Sequence, residues 1–441
     1  MEQRRKNLTQ LFIPICLETL LYMLSGMVDT LMLSSVNDQA VGAVGTANTY
    51  IGIFIIMFSV ISSGMVAVMT QNIGAGRPGV AYQARQLGLA FNAVLGVIMS
   101  LFLSLGAGTI LSGVGVADAL MQPARTYLQI VGGFCILNAL IPICSSYLRA
   151  FGFSKEPLYA SIIGNVINFC LNAFFLFVLH KGVAGVATAT VISRIINLVI
   201  VVLLGAVLVK AKQHPERESN REVMGQIIRI GLPSACETAI YNVSMTLVIR
   251  FLNQMDAQGL NVTARSYTMQ ITNFSYCVGA ALAQANAIMT GWRIGAKEYD
   301  ACDRGTRKAA IIGVIVAVIL ETMFALCSGW IMQLFSKDPQ MVSIVGKLLA
   351  IDIVLEMGRV TNLVYGQALK TSGDAVFPVV MGACFMILCS VGGTYLFGIR
   401  LGLLAVGAYI GMTGDECVRA VGMYLRWKSG KWKEKGLVKS R

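Results

Sequence analysis

The chain has 441 residues, of which 56% are hydrophobic and 13% are charged. Soluble domains carry about 25% charged residues, so the composition excludes an ordinary soluble globular protein. The formal net charge is +13. Because its basic residues are concentrated between long apolar stretches, this charge argues for a membrane protein and against nucleic acid as a partner.

Twelve apolar stretches are long enough to cross a membrane. Each exceeds the roughly 20 residues that a spanning helix needs. A helix satisfies its backbone hydrogen bonds internally in lipid, whereas an open sheet does not. We therefore predict an all-α integral membrane protein with twelve transmembrane helices in the lipid bilayer. The predicted spans are 10–33, 45–71, 87–112, 126–148, 157–179, 183–209, 230–252, 267–291, 308–335, 341–368, 375–398 and 401–425.

The basic residues predict the topology. With the N-terminus inside, 25 of the 35 Lys and Arg residues fall in inside segments and five in outside segments. This positive-inside distribution predicts a multi-pass protein of the cytoplasmic (plasma) membrane with both termini in the cytoplasm. We interpret the basic tail, 426–441, as an anchor at an anionic leaflet. The eleven cysteines include no CxxC motif and are interpreted as small buried hydrophobes.

The two halves of the chain repeat each other. PICLETLLYMLS (14–25) matches PSACETAIYNVS (233–244) at five positions, and LRAFGFSKEP (148–157) aligns with LKTSGDAVFP (369–378). An even number of spans per repeat keeps both lobes in the same orientation, so the internal repeat is parallel, a common transporter plan with a central cavity. The predicted parts are an N-terminal lobe with spans 1–6 (1–209), a cytoplasmic linker (210–224), a C-terminal lobe with spans 7–12 (225–425) and the basic cytoplasmic tail (426–441).

A polar stripe runs along the first span and is duplicated in the seventh. The spacing of its members places them on one helical face. The first four have identical counterparts, but Asp29 has Val248 as its counterpart. The stripe in the first span is Pro14, Glu18, Tyr22, Ser25 and Asp29, and that in the seventh is Pro233, Glu237, Tyr241, Ser244 and Val248.

The unshared acid is predicted to be the specialised one. A charged Asp at a helix centre costs about 2.5–3.5 kcal/mol on insertion scales, and such residues mark functional sites by default. Asp29 is predicted to bind a proton, a hard cation such as Na⁺ or a cationic substrate. The alternative is a carboxyl that only bonds neighbouring helices. Glu18, Glu237, Tyr22 and Tyr241 are candidates for lining the substrate cavity.

Other intramembrane polar residues have simpler interpretations. Helical spacing allows Glu356 to pair with Arg359, and Asp415 or Glu416 to pair with Arg419, so these are predicted structural ion pairs. In the fifth span, Asn165, Asn168 and Asn172 share one face and are expected to pack inward. Hydrogen bonding between helices is an equally good account of these amides.

The sequence resembles the multidrug and toxic compound extrusion (MATE) family of bacterial type. The resemblance rests on MVDTLML in the first span, QNIGAG after the second, LRAFG before the fifth, GNVIN in the fifth, GVAGVATATVIS in the sixth, LKTSGD after the tenth and RWKSGKW at the end. It covers nearly the whole chain. It implies a secondary active antiporter that exports organic cations and amphipathic drugs or toxic compounds in exchange for Na⁺ or H⁺ by alternating access.

The resemblance also implies a cation-coupling site. The family positions correspond to Asp29, Asn168, Asn172 and Thr190, and Asn172 departs from members that have Asp there. No cofactor and no metal beyond Na⁺ at Asp29 is expected. Some members instead use acids in spans seven and ten, but the corresponding residues here are Tyr241 and Arg359. We expect a monomer acting on small-molecule amphipathic or cationic substrates.

Two other functions are considered. A flippase or exporter of lipid-linked or oligosaccharide cargo, of the same superfamily, would line its cavity with basic residues for phosphate, whereas a drug exporter predicts acids. A membrane enzyme is disfavoured because the only histidines are His180 and His214, and the chain contains no HExxH, nucleophile elbow or P-loop. We therefore predict a protein that is not an enzyme.

Overall fold

The computed structural model describes residues 6–35, 38–113, 116, 118–210, 214–256, 259–333, 335–336 and 338–438, and every regular element in these ranges is helical. The predicted all-α membrane class is confirmed. The chain divides into two compact units, Met1–Leu232 and Pro233–Arg441. They are called here the N-terminal and C-terminal units, and each is described by itself.

The helices of the N-terminal unit follow the first six predicted spans. Several of these helices are longer than the predicted apolar stretch and include polar residues at their ends. One further helix begins in this unit and crosses into the next. The bounds are α1 Leu8–Ser34, α2 Asp38–Gly74, α3 Pro78–Gly113, α4 Asp118–Tyr127, α5 Ile136–Ala150, α6 Lys155–Ala173, α7 Gly182–Leu208 and α8 Asn220–Met255.

The helices of the C-terminal unit, together with most of α8, follow the last six predicted spans. After α13 the chain continues in two wider helical turns, Met386–Val391 and Thr394–Arg400, which complete the eleventh span. The ninth span ends earlier than predicted, at Leu326, and a short separate helix follows it. The bounds are α9 Leu260–Gly295, α10 Tyr299–Leu326, α11 Ser328–Met332, α12 Pro339–Ser372, α13 Val376–Phe385 and α14 Leu404–Lys428.

Hydropathy alone separates these helices into two groups. Seven described helices are long and apolar enough to cross a membrane, or eight when the bent pair Leu120–Gly132 and Ile136–Ala150 counts as one span. The other long helices, α8, α9, α12 and α14, are more polar. Three of these four belong wholly to the C-terminal unit, which also contains most of the buried charges described below.

The fourth span is broken, whereas the sequence predicts a single helix over 126–148. Its two halves meet at an angle of 43°. At the break, the Ser100 hydroxyl of α3 accepts a hydrogen bond from the amide of Ile136 at 3.0 Å. A side chain from a neighbouring helix therefore satisfies a backbone group at the kink.

Each unit has its own apolar core. In the N-terminal unit, residues such as Phe58, Leu103 and Leu128 pack together from α2, α3 and the fourth span. In the C-terminal unit, Val248 of α8 packs with Leu348 and Tyr409 of α12 and α14. Val248 is fully buried there, so the counterpart of Asp29 in the repeat is an ordinary core residue.

Within the N-terminal unit, the start of α8 crosses α2 with the two backbones in contact. A Cβ atom added at Gly231 would lie 1.7 Å from the carbonyl oxygen of Val60, and one added at Gly64 would lie 2.0 Å from that of Ile227. Glycine is required at both positions because only its lack of a side chain permits this approach.

We expect Gly231→Ala to destabilise the protein by at least about 1–3 kcal/mol, because the new methyl group forces two backbones apart. The apparent melting temperature of purified protein in detergent measures the effect. Gly225→Ala is the matched control, because a Cβ atom there meets nothing within 4 Å on the same helix. Equal melting temperatures for the two variants would contradict the close crossing.

The tail packs against the C-terminal unit up to residue 438, and its last three residues lie outside the described ranges. Trp432 is 1% exposed and stacks on Trp427 with ring centroids 4.1 Å apart. Trp427 in turn donates to Asp303 of α10 at 2.9 Å. Two aromatic rings therefore anchor the described part of the tail to protein, a contact that the interpretation of the tail as a lipid anchor does not include.

Asp374, in the loop after α12, holds the tail electrostatically. Arg426 and Lys435 each donate to its carboxylate at 2.7 Å. Burial alone would raise the pKa of Asp374, but the hydrogen bonds from Arg426 and Lys435 outweigh it and hold this pKa below its ordinary value of 3.8. The ionised form is therefore favoured by folding.

We expect Asp374→Asn to loosen the tail, because Arg426 and Lys435 lose their shared anion. Since the folded-state pKa is lowered, the contact contributes fully above the ordinary pKa of 3.8 and is lost as the pH falls through the lower value. Limited proteolysis of the tail near neutral pH measures the effect, with Asp300→Asn at an exposed position of α10 as control. Equal cleavage rates in the two variants would contradict it.

Candidate functional site

Glu18 has a partner that its own helix does not supply. Arg149, at the end of α5, binds the Glu18 carboxylate with an N–O distance of 2.5 Å, and both side chains are mostly buried. The Ser161 hydroxyl of α6 lies 3.4 Å from the other carboxylate oxygen. Glu18 is therefore neutralised by a basic residue of another helix.

The C-terminal unit contains the same pair. Lys370, near the end of α12, lies 2.6 Å from the Glu237 carboxylate. The position of Ser161 is taken by Gly382, whose added Cβ would lie 3.3 Å from the Glu237 side chain. The repeat therefore duplicates a complete ion pair, which ties the first span of each unit to the cytoplasmic end that we predict for its fourth.

Asp29 is in a different environment from Glu18. Asn172 of α6 donates its side-chain amide to the Asp29 carboxylate at 2.7 Å and lies 3.3 Å from the amide oxygen of Asn168. Both asparagines are buried. No salt bridge within 4 Å includes Asp29 among the described residues, so its charge is left without a direct counter-ion.

A basic residue of another helix acts on Asp29 from a distance. Arg194 of α7 is the cationic side chain whose charge reaches Asp29. The predicted ligand Thr190, one turn earlier on α7, donates its hydroxyl to the Val186 carbonyl at 2.9 Å. In the described structure Thr190 makes no hydrogen bond to Asp29. Of the four predicted cation-coupling residues, the structure therefore joins Asp29, Asn168 and Asn172 by hydrogen bonds.

The two tyrosine candidates differ in environment. Tyr22 is 70% exposed, whereas Tyr241 is partly buried against the core of the C-terminal unit. Exposure leaves Tyr22 free for contact with a ligand or lipid, and packing gives Tyr241 a structural role in its own unit.

The charged residues of α12 and α14 form one network. Arg419 lies 2.8 Å from Asp415 and 2.9 Å from Glu416. Arg359 bonds Glu356 on its own helix and lies 3.5 Å from Glu416. Glu416 therefore joins two pairs that the sequence treats separately, because spacing along one helix reveals no contact between helices.

The arrangement around Asp29 suits a small monovalent cation. It offers one carboxylate, and the buried side-chain oxygen of Asn172 has no hydrogen-bond partner among the described residues. Hard oxygen donors of this kind bind Na⁺, and the carboxylate alone accepts a proton. No group of three or more His, Cys, Asp or Glu residues in the described ranges is placed to hold a metal ion.

Comparison with known proteins gives concordant matches. The MatE family model matches residues 14–174 and 233–396, one segment in each half of the chain. An uncharacterized transporter of Bacillus subtilis, YisQ, is 33% identical over 96% of this chain and 94% of its own length. The probable multidrug resistance protein NorM of Thermotoga maritima is 24% identical over 98% of this chain and 94% of its own.

Solved structures share the fold. A multidrug resistance MATE family transporter of the MOP superfamily, in an outward-facing conformation, superposes with a TM-score of 0.88 at 18% identity, covering 98% of this chain and 96% of that chain. A MOP superfamily transporter from Pyrococcus furiosus, described as having a binding pocket of reverse polarity, gives 0.86 at 18% identity, with 98% and 96% covered.

We expect Arg149→Met to destabilise the protein by up to about 3–5 kcal/mol, because it leaves the Glu18 carboxylate buried without a partner. The double variant Glu18→Gln/Arg149→Met removes both charges and should recover most of the loss. Melting temperatures of both variants measure this coupling, and Lys308→Met at an exposed position controls for loss of one positive charge. If the double variant were no more stable than Arg149→Met, the unpaired Glu18 charge would not be the cause of the lost stability.

Proposed function

Since the chain belongs to the MatE family of transporters, we propose that it is a secondary active antiporter. It exports amphipathic or cationic small molecules in exchange for inward-moving Na⁺ or H⁺ by alternating access. The observation that carries the coupling part is Asp29, a carboxyl present in only one of two repeats and bonded to an amide rather than to a cation.

The coupling step is proposed to use the contact between α1 and α6. In the ion-free state, the Asp29 carboxylate accepts the hydrogen bond from Asn172. A proton or Na⁺ on the Asp29 oxygens competes for the electron pairs that accept this bond. Cation binding therefore changes how α1 packs against α6. A cation drives transport only by binding one conformation of the transporter more tightly than the other.

The proposed substrate class rests on the family and on Asp29. Glu18 and Glu237 are neutralised by Arg149 and Lys370, so they do not add net negative charge to a substrate site. The same pairing means that Arg149 and Lys370 do not supply the free basic lining that the flippase alternative requires.

The proposed placement follows from the charge distribution of the sequence. Both termini lie in the cytoplasm, and the protein is a monomer in the plasma membrane. The docked tail and the loop with Asp374 then lie on the cytoplasmic side of the C-terminal unit. In the N-terminal unit, the Glu18 ion pair lies nearer that side than Asp29 does, because Glu18 precedes Asp29 on an outward-running helix.

We expect Asp29→Asn to abolish efflux driven by an ion gradient, because asparagine retains the size of the side chain but binds neither a proton nor Na⁺ as a carboxylate does. The measurement is transport of a fluorescent organic cation in proteoliposomes, with Na⁺ and pH gradients imposed separately. The gradient that drives wild-type transport identifies the coupling ion.

Val248→Asp is the informative companion variant, because it places an acid at the duplicated position in the C-terminal unit. It should not restore transport to Asp29→Asn, because the C-terminal unit has no pair of asparagines at the positions that correspond to Asn168 and Asn172. Asp300→Asn, at an exposed position, controls for loss of one acid. Gradient-dependent transport by Asp29→Asn at the wild-type rate would overturn the coupling role.

A further inference from the structure

The C-terminal unit contains a second set of buried ionisable groups, independent of Asp29. It comprises five carboxyl groups and two guanidinium groups from α10, α12 and α14. All but Arg359 are at most 5% exposed, and the Arg359 side chain is 15% exposed. The members are Glu321, Asp352, Glu356, Arg359, Asp415, Glu416 and Arg419.

The two guanidinium groups are fully committed to three of the acids. Arg419 binds Asp415 and Glu416, and Arg359 binds Glu356 and Glu416. Two of these acids have a further donor: Ser390 donates to Asp415 and Asn362 to Glu416, both at 3.0 Å. The second oxygen of Glu356 has no hydrogen-bond partner among the described residues. Each of these three carboxyls therefore has a cationic partner.

Glu321 and Asp352 are outside this pairing. Glu321 is fully buried, and Asp352 is 2% exposed. Within the described part of the chain, neither is in a salt bridge within 4 Å, and both Glu321 oxygens and Oδ2 of Asp352 lack hydrogen-bond partners. The buried Ser275 hydroxyl of α9 neighbours Glu321. It also makes no hydrogen bond of normal length and angle within the described part of the chain.

The seven groups have more acids than bases. If all five carboxyls were ionised, the two arginines would leave an excess of three negative charges in the interior of a membrane protein. Each uncompensated buried ion costs several kcal/mol. The acids neighbour one another, since Asp352 and Glu356 both act on Glu321, and mutual repulsion adds to that cost. Glu321 and Asp352 are the members without a cation.

We propose that Glu321 and Asp352 form a proton-binding site in the C-terminal unit. A proton from water adds to one carboxylate oxygen and converts it to a neutral carboxyl, whose O–H can donate to the neighbouring acid or to Ser275. Protonation of one carboxyl removes one of the excess negative charges and needs only a single oxygen atom, whereas a metal ion needs several oxygen ligands around one point.

The site differs from the cation positions that the family resemblance suggests. It uses α10 and α12, whereas the positions carried over to this unit, 241 and 359, are a tyrosine and an arginine. It does not depend on Asp29. The groups facing Glu321 and Asp352 from packed helices are Ser275 on α9, Glu356 and Arg359 on α12, and Tyr409 and Glu416 on α14.

The test uses full-length Asp29→Asn protein, which removes the N-terminal acid, in lipid nanodiscs near neutral pH. Surface carboxyls are ionised under these conditions, so the infrared C=O stretching band of a protonated carboxyl reports buried acids. We expect this band in Asp29→Asn and its loss when Glu321→Gln is added. Asp352→Asn, added instead, should shift or remove it.

Melting temperatures distinguish the proton site from the ion pairs. Glu321→Gln mimics the neutral carboxyl, so its melting temperature should match or exceed that of its parent and should fall less as the pH is raised. Glu416→Gln is the matched control: it should retain the band and lower the melting temperature, because it strips a partner from two arginines.

Two results would overturn the proposal. One is a band of equal intensity in the parent, Glu321→Gln and Asp352→Asn proteins, which would place the protonated group elsewhere. The other is loss of the band when Na⁺ is added at constant pH, which would make a metal cation the ligand. Failure of Asp29→Asn to affect transport would leave this outcome unchanged, so the two proposals are tested separately.

Discussion

A charge inside a membrane protein needs a partner, and the structure meets this constraint in the same way twice. Glu18 with Arg149 and Glu237 with Lys370 connect the first span of each unit to the end of its fourth. An unpaired ion at such a place would cost several kcal/mol, so these pairs limit how the helices of a unit can pack. The duplicated stripe is thus part of the framework of each unit.

The repeat extends beyond the spans to the segments that follow them. After α7, the linker residue Glu218 binds Arg77 at 2.6 Å and its backbone bonds the Gln83 side chain. After α14, the Trp432 ring packs against the ring of Tyr299, the first residue of α10, with centroids 5.9 Å apart. Each unit therefore folds its last described segment onto the beginning of its third span, although one segment is the linker and the other the basic tail.

The spans and the repeat were predictable because hydropathy and identity are local signals. The bend in the fourth span gave no such signal, and the partner of Glu18 was not predicted. Arg149 lies 131 residues from Glu18 and looks like one more basic residue of the inside surface. A signal was present, because the repeat aligns Glu18 with Glu237 and Arg149 with Lys370. An acid and a base that both recur at corresponding positions of the two halves indicate a contact. Comparing the two aligned positions together would therefore have revealed the Glu18 ion pair.

Specialised chemistry is concentrated where the two units differ. Asp29 corresponds to buried Val248. Aligning the first residues of α3 and α10, Pro78 and Tyr299, places Glu321 over Ser100, which in the N-terminal unit bonds the broken fourth span. Duplication first supplies two equal frameworks, each held by its own ion pair. In the functions proposed above, an acid present in only one of them would respond to a cation in that unit alone.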